Sequence, residues 1–206
     1  MKIALDEAAK IIGDAQTIIL TAHIRPDGDA IGSTLGLMHY LREQGKDARV
    51  LIDDEIPRIF NVLPGVEQIE RPAEGQRYTA DLLIVCDVEL KRTGAVIDAV
   101  DAVRVLNIDH HVTNDEAAEY LYLNADYAAT CEIMHGTFAL DVATCLYTGM
   151  ATDTGFFRFS NTTPHTMRAA ADLVEVGVKP NIISVAMEMK SYDEVMAQVR
   201  AIKSLE

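Results

Sequence analysis

Long apolar runs are missing. Nothing in the 206 residues approaches the roughly 20 consecutive apolar residues that span a bilayer. The start MKIALDEAAK does not read as a leader, since it places acids where a signal peptide needs a basic region followed by an apolar one. A soluble cytoplasmic protein is the resulting expectation. Cysteine is scarce, and Cys86, Cys131 and Cys145 neither pair off completely nor match a zinc-binding spacing. Cys86 lies in an apolar, strand-like run and reads as a buried, reduced thiol. Positive charge is short: 18 Lys and Arg against 32 Asp and Glu leave a net charge of −14. That balance excludes a surface tracking the phosphates of long nucleic acid. It permits a small phosphorylated substrate, because bound cations reverse the local field wherever acids are gathered to hold them. Internal repeats and low-complexity segments are also absent.

What is present is a 49% apolar chain, ample for a buried core. Short β-rich runs alternate with amphipathic stretches, which predicts an α/β fold: a doubly wound, mainly parallel sheet with helices on both faces and a helical C-terminal part. Strands are expected at 17–22, 48–52, 81–86, 103–108 and 119–123. Helices are expected at 5–15, 30–44, 94–100, 128–139, 141–151, 164–176, 180–189 and 192–205, with a short helix, a short strand and loops between 53 and 78. Residues 1–190 read as one catalytic domain. The pattern over 191–206 runs helical to the last residue and reads as the start of a linker toward a second domain.

Acidic residues gather at four places. Thr21-Ala-His-Ile-Arg-Pro-Asp-Gly-Asp-Ala-Ile-Gly-Ser33 follows the first strand, Asp87 ends the run Leu82-Leu-Ile-Val-Cys-Asp, and Asp109-His110-His111 ends the run from Val105. The fourth is Asp153, in Thr148-Gly-Met-Ala-Thr-Asp-Thr-Gly155 at the end of a helix. Sites in open α/β sheets form outside the carboxyl ends of the parallel strands, so these residues should converge. Converging carboxylates cannot all stay ionised without compensation. A pair of divalent cations supplies it, and two ions sharing a carboxylate activate a hydroxide for attack on phosphorus. Carboxylates with one imidazole per ion suit Mn2+ best, with Mg2+ or Co2+ as alternatives. In Pro26-Asp-Gly-Asp, carboxylates two residues apart across a glycine face neighbouring ions, and the helix that follows favours an anion.

Taken singly, each place has a plainer reading. An Asp at a strand end is usually a turn or cap residue, and PDGD is usually a tight turn. His39, His135 and His165 read as helix-surface or helix-start side chains, Asp126 as a loop or helix-start acid, and the methionines from Met134 onward as helix packing.

The order HxxxDxD, strand-end Asp, Asp-His-His and later Asp resembles the DHH phosphoesterases. Leu146 through Pro164, with Thr-Gly-Phe-Phe-Arg-Phe at 154–159, is similar to the branch of nanoRNases, the bifunctional oligoribonucleases and PAP phosphatases. The resemblance runs from His23 to the final helix, although Cys131–Asp141 is shorter than the family's helix, loop and helix start there. It implies one metal held by His23, Asp27 and Asp87, and a second held by Asp29, Asp87, His110 and Asp153. It makes Asp109 the residue that orients an imidazole, and places His111 and Arg158 on the substrate phosphate. The activity implied is metal-dependent hydrolysis of short oligoribonucleotides or of 3′-phosphoadenosine 5′-phosphate. A cyclic di-AMP or pApA phosphodiesterase and a metal-binding module without turnover stay open, as does a homodimer formed through the helical region.

Overall fold

The computed structural model describes residues 1–136 and 138–188, together with 196 and 200. Thr17-Ile-Ile-Leu-Thr is β-branched or apolar throughout and carries no charge, and it forms the buried strand β1 (Thr17–Thr21). Four more strands follow: β2 (Asp47–Val50), β3 (Tyr78–Cys86), β4 (Val100–Asp109) and β5 (Tyr120–Leu123). All pairings are parallel, in the order β2-β1-β3-β4-β5. Both neighbours of β1 come later in the chain, so the winding reverses between β1 and β3. The crevice at their carboxyl ends is where such a sheet builds a site.

Helices α1 (Leu5–Asp14) and α2 (Gly28–Glu43) cover one face, with Ile11, Ile31 and Leu35 packed on Ile18, Leu20, Ile84 and Leu106. The other face carries Ile19, Leu83 and Val85 under Val96 of α3 (Val96–Ala99), a layer one helical turn thick. The remaining helices are α4 (Thr130–Ile133), α5 (Leu140–Asp153), α6 (Pro164–Val176) and α7 (Pro180–Glu188). Leu146, Met150, Leu173 and Ile183 give this helical part a core of its own. Among the described residues no helix is long and apolar enough to cross a membrane. The three cysteines are free and buried, and burial pushes the Cys86 thiol up.

Several boundaries differ from expectation. Helix α2 begins at Gly28 and not Ala30, because Asp27 caps it from the extended region. The helix expected over 128–139 shrinks to the single turn α4: Ala129 is extended (φ −158°, ψ 154°), and the Thr130 and Cys131 amides bond to Asp29. Strands β3 and β4 each start three residues early, at Tyr78 and Val100, where they pair with each other. Between β2 and β3 the chain makes two 3-10 helices, Arg58–Val62 and Val66–Gln68, and one bridge from Leu51 to Glu70. The helix expected over 192–205, and with it the linker over 191–206, lies outside the described residues apart from positions 196 and 200.

Helices α2 and α5 run antiparallel and very close. Gly28, Gly32 and Gly36 line one stripe of α2, four residues apart, against Thr152, Cys145 and Leu146 of α5. A Cβ on Gly32 would stand 2.5 Å from the Cys145 carbonyl oxygen, and one on Gly36 would stand 3.0 Å from Leu146 Cδ2. Only hydrogen fits at the first, and the contact brings the last turn of α5 over the first turn of α2.

Candidate metal centre

His23 follows β1 directly and is buried. Its Nδ1 donates to the Ile24 carbonyl at 2.9 Å, which leaves Nε2 facing two acids, 3.6 Å from Asp27 Oδ2 and 3.6 Å from Asp87 Oδ2. Asp27 divides its carboxylate between tasks. Oδ1 accepts from the Asp29 and Ala30 amides at 3.1 and 3.0 Å, capping α2, and Oδ2 is left for the cluster.

Asp29, on the first turn of α2, is 0% exposed. Its two oxygens accept from Thr130 N (2.6 Å) and Cys131 N (2.9 Å). Asp87 directly follows β3 at φ 65°, the left-handed region that strains a non-glycine residue and is tolerated where the surroundings fix it. Its amide donates to Ile108 of β4, and Thr130 Oγ1 donates to its Oδ1 at 3.2 Å.

His110 Nδ1 donates to the Tyr127 carbonyl at 3.3 Å. Its Nε2 lies 3.4 Å from Asp87 Oδ1, 3.4 Å from Asp153 Oδ2 and 3.9 Å from Asp29 Oδ2, and it is buried without a hydrogen-bond partner. Asp153 closes the set from the last turn of α5, where a helix terminus already carries partial negative charge. An acid placed there is unfavourable unless a cation answers it.

Asp109 faces the other way. Its Oδ1 accepts from His111 Nδ1 at 2.8 Å and from the His110 and His111 amides at 2.7 and 3.1 Å. Its Oδ2 accepts from Asn114 Nδ2 at 2.6 Å, and Asn114 is tied in turn to buried Asn107. His111 remains 43% exposed at its side chain, with Nδ1 3.7 Å from Asp87 Oδ1. Arg158 is the one anticipated site residue not brought to the acids. It is exposed, and its Nε donates to the Gly155 carbonyl at 2.6 Å, on a turn whose residues Gly155, Phe156 and Phe157 all have φ near +60°.

The ligand-capable atoms fall into three overlapping groups, each within 4.8 Å: His23, Asp27, Asp87; Asp29, His110, Asp153; and Asp87, His110, His111. The charges show the tension among them. Burial, and then the negative charges of Asp87 and its neighbours, push the Asp29 and Asp153 carboxyls up. Burial opposes ionisation of Asp87 as well, but the neighbouring His110 and His23 imidazoles hold it low. Burial also works against charge on the two imidazoles, yet the surrounding carboxylates raise His23 to about 10 and His110 to about 11. His111 is raised too, chiefly by Asp109. Carboxyls pushed up at Asp29 and Asp153 beside imidazoles pushed up at His23 and His110 mark a pocket short of positive charge. Oxygen donors with one imidazole in each of the first two groups, and an orphaned buried Nε2, fit a pair of divalent cations.

Thr130, Cys131, Asn107 and Asn114 support the site, and nothing in the reading of the sequence singled them out. The Gly28-Gly32-Gly36 spacing was a usable signal for the contact that delivers Asp153.

Comparison with known proteins agrees with this architecture. The family model described as "DHH family, N-terminal domain" matches residues 17–152. The bifunctional oligoribonuclease and PAP phosphatase NrnA of Thermus thermophilus is 36% identical over 192 residues, covering 88% of this chain and 57% of that protein. A probable manganese-dependent inorganic pyrophosphatase of an Exiguobacterium species is 26% identical over 172 residues, covering 78% of this chain and 55% of its own length. The crystal structure of an exopolyphosphatase-related protein from Bacteroides fragilis superposes with a TM-score of 0.81 at 27% identity, covering 91% of this chain and 61% of that one. The chain therefore spans little more than half the length of the relatives it matches.

Proposed function

Because the chain belongs to the DHH family, we propose that it is a metal-dependent phosphoesterase of the cytoplasm, acting on short oligoribonucleotides and on 3′-phosphoadenosine 5′-phosphate. The observation that carries this reading is Asp87, whose two oxygens lie 3.6 Å from His23 and 3.4 Å from His110, one carboxylate between two ligand sets. His23, Asp27 and Asp87 would hold one ion, and Asp29, Asp87, His110 and Asp153 the other. Mn2+ is the ion we assign, with Mg2+ or Co2+ as substitutes. When bound, such a pair acidifies water into a nucleophile and neutralises charge on the phosphoryl oxygens.

The chain's own groups do the rest. The burial of Asp29 and Asp87 keeps bulk water from competing for the ligand oxygens. Asp109 engages Nδ1 of His111 and favours its charged form. The remaining Nε2 can then hydrogen-bond a phosphoryl oxygen or give up its proton to the leaving oxygen. Arg158, through its terminal nitrogens, would grip the outer phosphate. The net charge of −14 suits small or very short substrates over long nucleic acid.

The test is release of phosphate from 3′-phosphoadenosine 5′-phosphate and of mononucleotide from a diribonucleotide, with Mn2+ added and then chelated. Turnover that appears with Mn2+ and stops with chelator is expected. Parallel reactions with pApA and cyclic di-AMP rank the substrates. A chain that takes up Mn2+ and turns over none of the four is a binding module, and the proposal fails.

A further inference from the structure

Among the described residues, outside the two ligand sets and apart from Asp109, one further acid is buried with a full complement of partners: Glu132, 1% exposed, on the single turn α4. Its Oε2 accepts from the Ala128 amide at 2.7 Å and from Thr166 Oγ1 at 3.2 Å, and its Oε1 lies 2.6 Å from His165 Nδ1. A buried carboxylate is costly unless paired and hydrogen-bonded, and these three donors meet that need. Two of them stand on the first turn of α6. That turn is itself fixed by the reciprocal cap between Thr163 and Thr166. The third belongs to the segment 127–131.

That segment carries the metal centre from behind. The Tyr127 carbonyl takes the His110 Nδ1 proton, the Thr130 and Cys131 amides hold both oxygens of Asp29, and Thr130 Oγ1 reaches Asp87. Three of these four groups are backbone atoms, so their placement depends on where the segment lies and not on a rotamer. Ala129 is extended and α4 has one turn, so the segment has little regular structure of its own to hold it. Glu132 ties it to α6.

We propose that Glu132 is a positioning residue: by pinning 127–131 against the first turn of α6 it sets Asp29 and His110 for the second cation. The inference rests on the two-metal reading above. Glu132 touches none of the ligands and acts through the backbone alone. Outer partners of this kind usually cost about 10–100-fold in metal affinity when removed.

The experiment is a Mn2+ titration of the full chain followed by electron paramagnetic resonance, with melting temperature measured on the same samples. Glu132→Ala should keep one ion at wild-type affinity and bind the other about 10–100-fold more weakly. Glu132→Gln should stay near wild type, because its single oxygen can accept from Ala128 and Thr166 while its amide donates to the other tautomer of His165. Val96→Ala, in the core on the far face of the sheet, supplies a destabilised control expected to bind both ions normally. Glu132→Ala binding both ions as tightly as wild type overturns the inference alone, as does a Val96→Ala control that weakens binding equally. Failure of the wild-type chain to bind Mn2+ overturns it together with the metal reading.

Discussion

Gly149 of α5 lies against Asp29 of α2: a Cβ added at Gly149 would stand 2.7 Å from Asp29 Oδ1 and 3.0 Å from its Cα, and would also strike Cys131 Sγ. The helices can part slightly or the carboxylate can turn, and either moves a ligand. Gly149→Ala gains helix propensity but overpacks a backbone contact, so we expect a net loss of about 1–3 kcal/mol. Mn2+ affinity should fall with it. Gly13 makes the contrast, being an exposed residue of α1 with nothing within 4 Å of its Cβ position. Gly13→Ala should stabilise by about 0.5–1 kcal/mol and leave Mn2+ binding unchanged. Urea unfolding of both variants, with and without metal, checks the pair.

Asp81 joins the start of β1 to β3. Its Oδ2 accepts from the Gln16 and Thr17 amides at 2.9 and 2.8 Å, and its own amide donates to Thr17 Oγ1 at 2.9 Å. Those amides hold its carboxyl below the usual aspartate value. A depressed folded pKa means stability that is present above the unfolded value, about 3.9, and lost as pH falls through the folded one. Asp81→Asn removes this titration. Its melting temperature should lie below wild type at pH 7, and the gap should close as pH falls below about 4. A gap that is constant from pH 7 to pH 3 contradicts the assignment.

The sheet was legible because its central strands contain uncharged runs of apolar and β-branched residues. Thr17-Ile-Ile-Leu-Thr and Leu82-Leu-Ile-Val-Cys can hardly be anything but buried parallel strands. The clustering of the candidate ligand residues was legible for a related reason, since in such a sheet the residue after a strand is also a residue of the crevice. The segment 127–136 was not. Its alanines and Glu132 suggest a helix, but tertiary bonds to Asp29 and Asp87, with Ala129 extended, cut it to the single turn α4, and local propensity carries no trace of those partners. The Asn107–Asn114–Asp109 chain was hidden likewise, because neither asparagine falls on a periodicity that marks it as buried.

Asp87→Asn should remove turnover while preserving the fold. Asparagine is among the residues best suited to the left-handed conformation held at φ 65°, so the backbone is not strained by the change. The loss falls on the one carboxylate facing both His23 and His110. A fall in kcat of at least about 10²–10³-fold is expected from losing a centrally placed charge of this kind. Far-ultraviolet circular dichroism should match wild type. Near-normal turnover in a correctly folded Asp87→Asn protein excludes the two-metal assignment.

The same carboxylate predicts how stability should respond to metal. A ligand bound only by the folded state stabilises it by RT ln(1 + [L]/Kd), about 2.7 kcal/mol at a hundredfold excess over Kd for one site. For a chain of this length that corresponds to a rise in melting temperature of roughly 5–10 °C. On the two-metal proposal, wild type should exceed the single-site figure. Asp27→Asn should fall to it: asparagine still caps α2 through its carbonyl oxygen, so the helix keeps its start while the set of His23, Asp27 and Asp87 loses an oxygen. Asp87→Asn, which damages both sets, should show little shift. The three variants thus order as wild type above Asp27→Asn above Asp87→Asn in Mn2+-induced stabilisation, measured by calorimetry against samples treated with chelator. Equal shifts in wild type and Asp27→Asn would mean that Asp27 only caps the helix. An undiminished shift in Asp87→Asn would mean that the ions are held elsewhere.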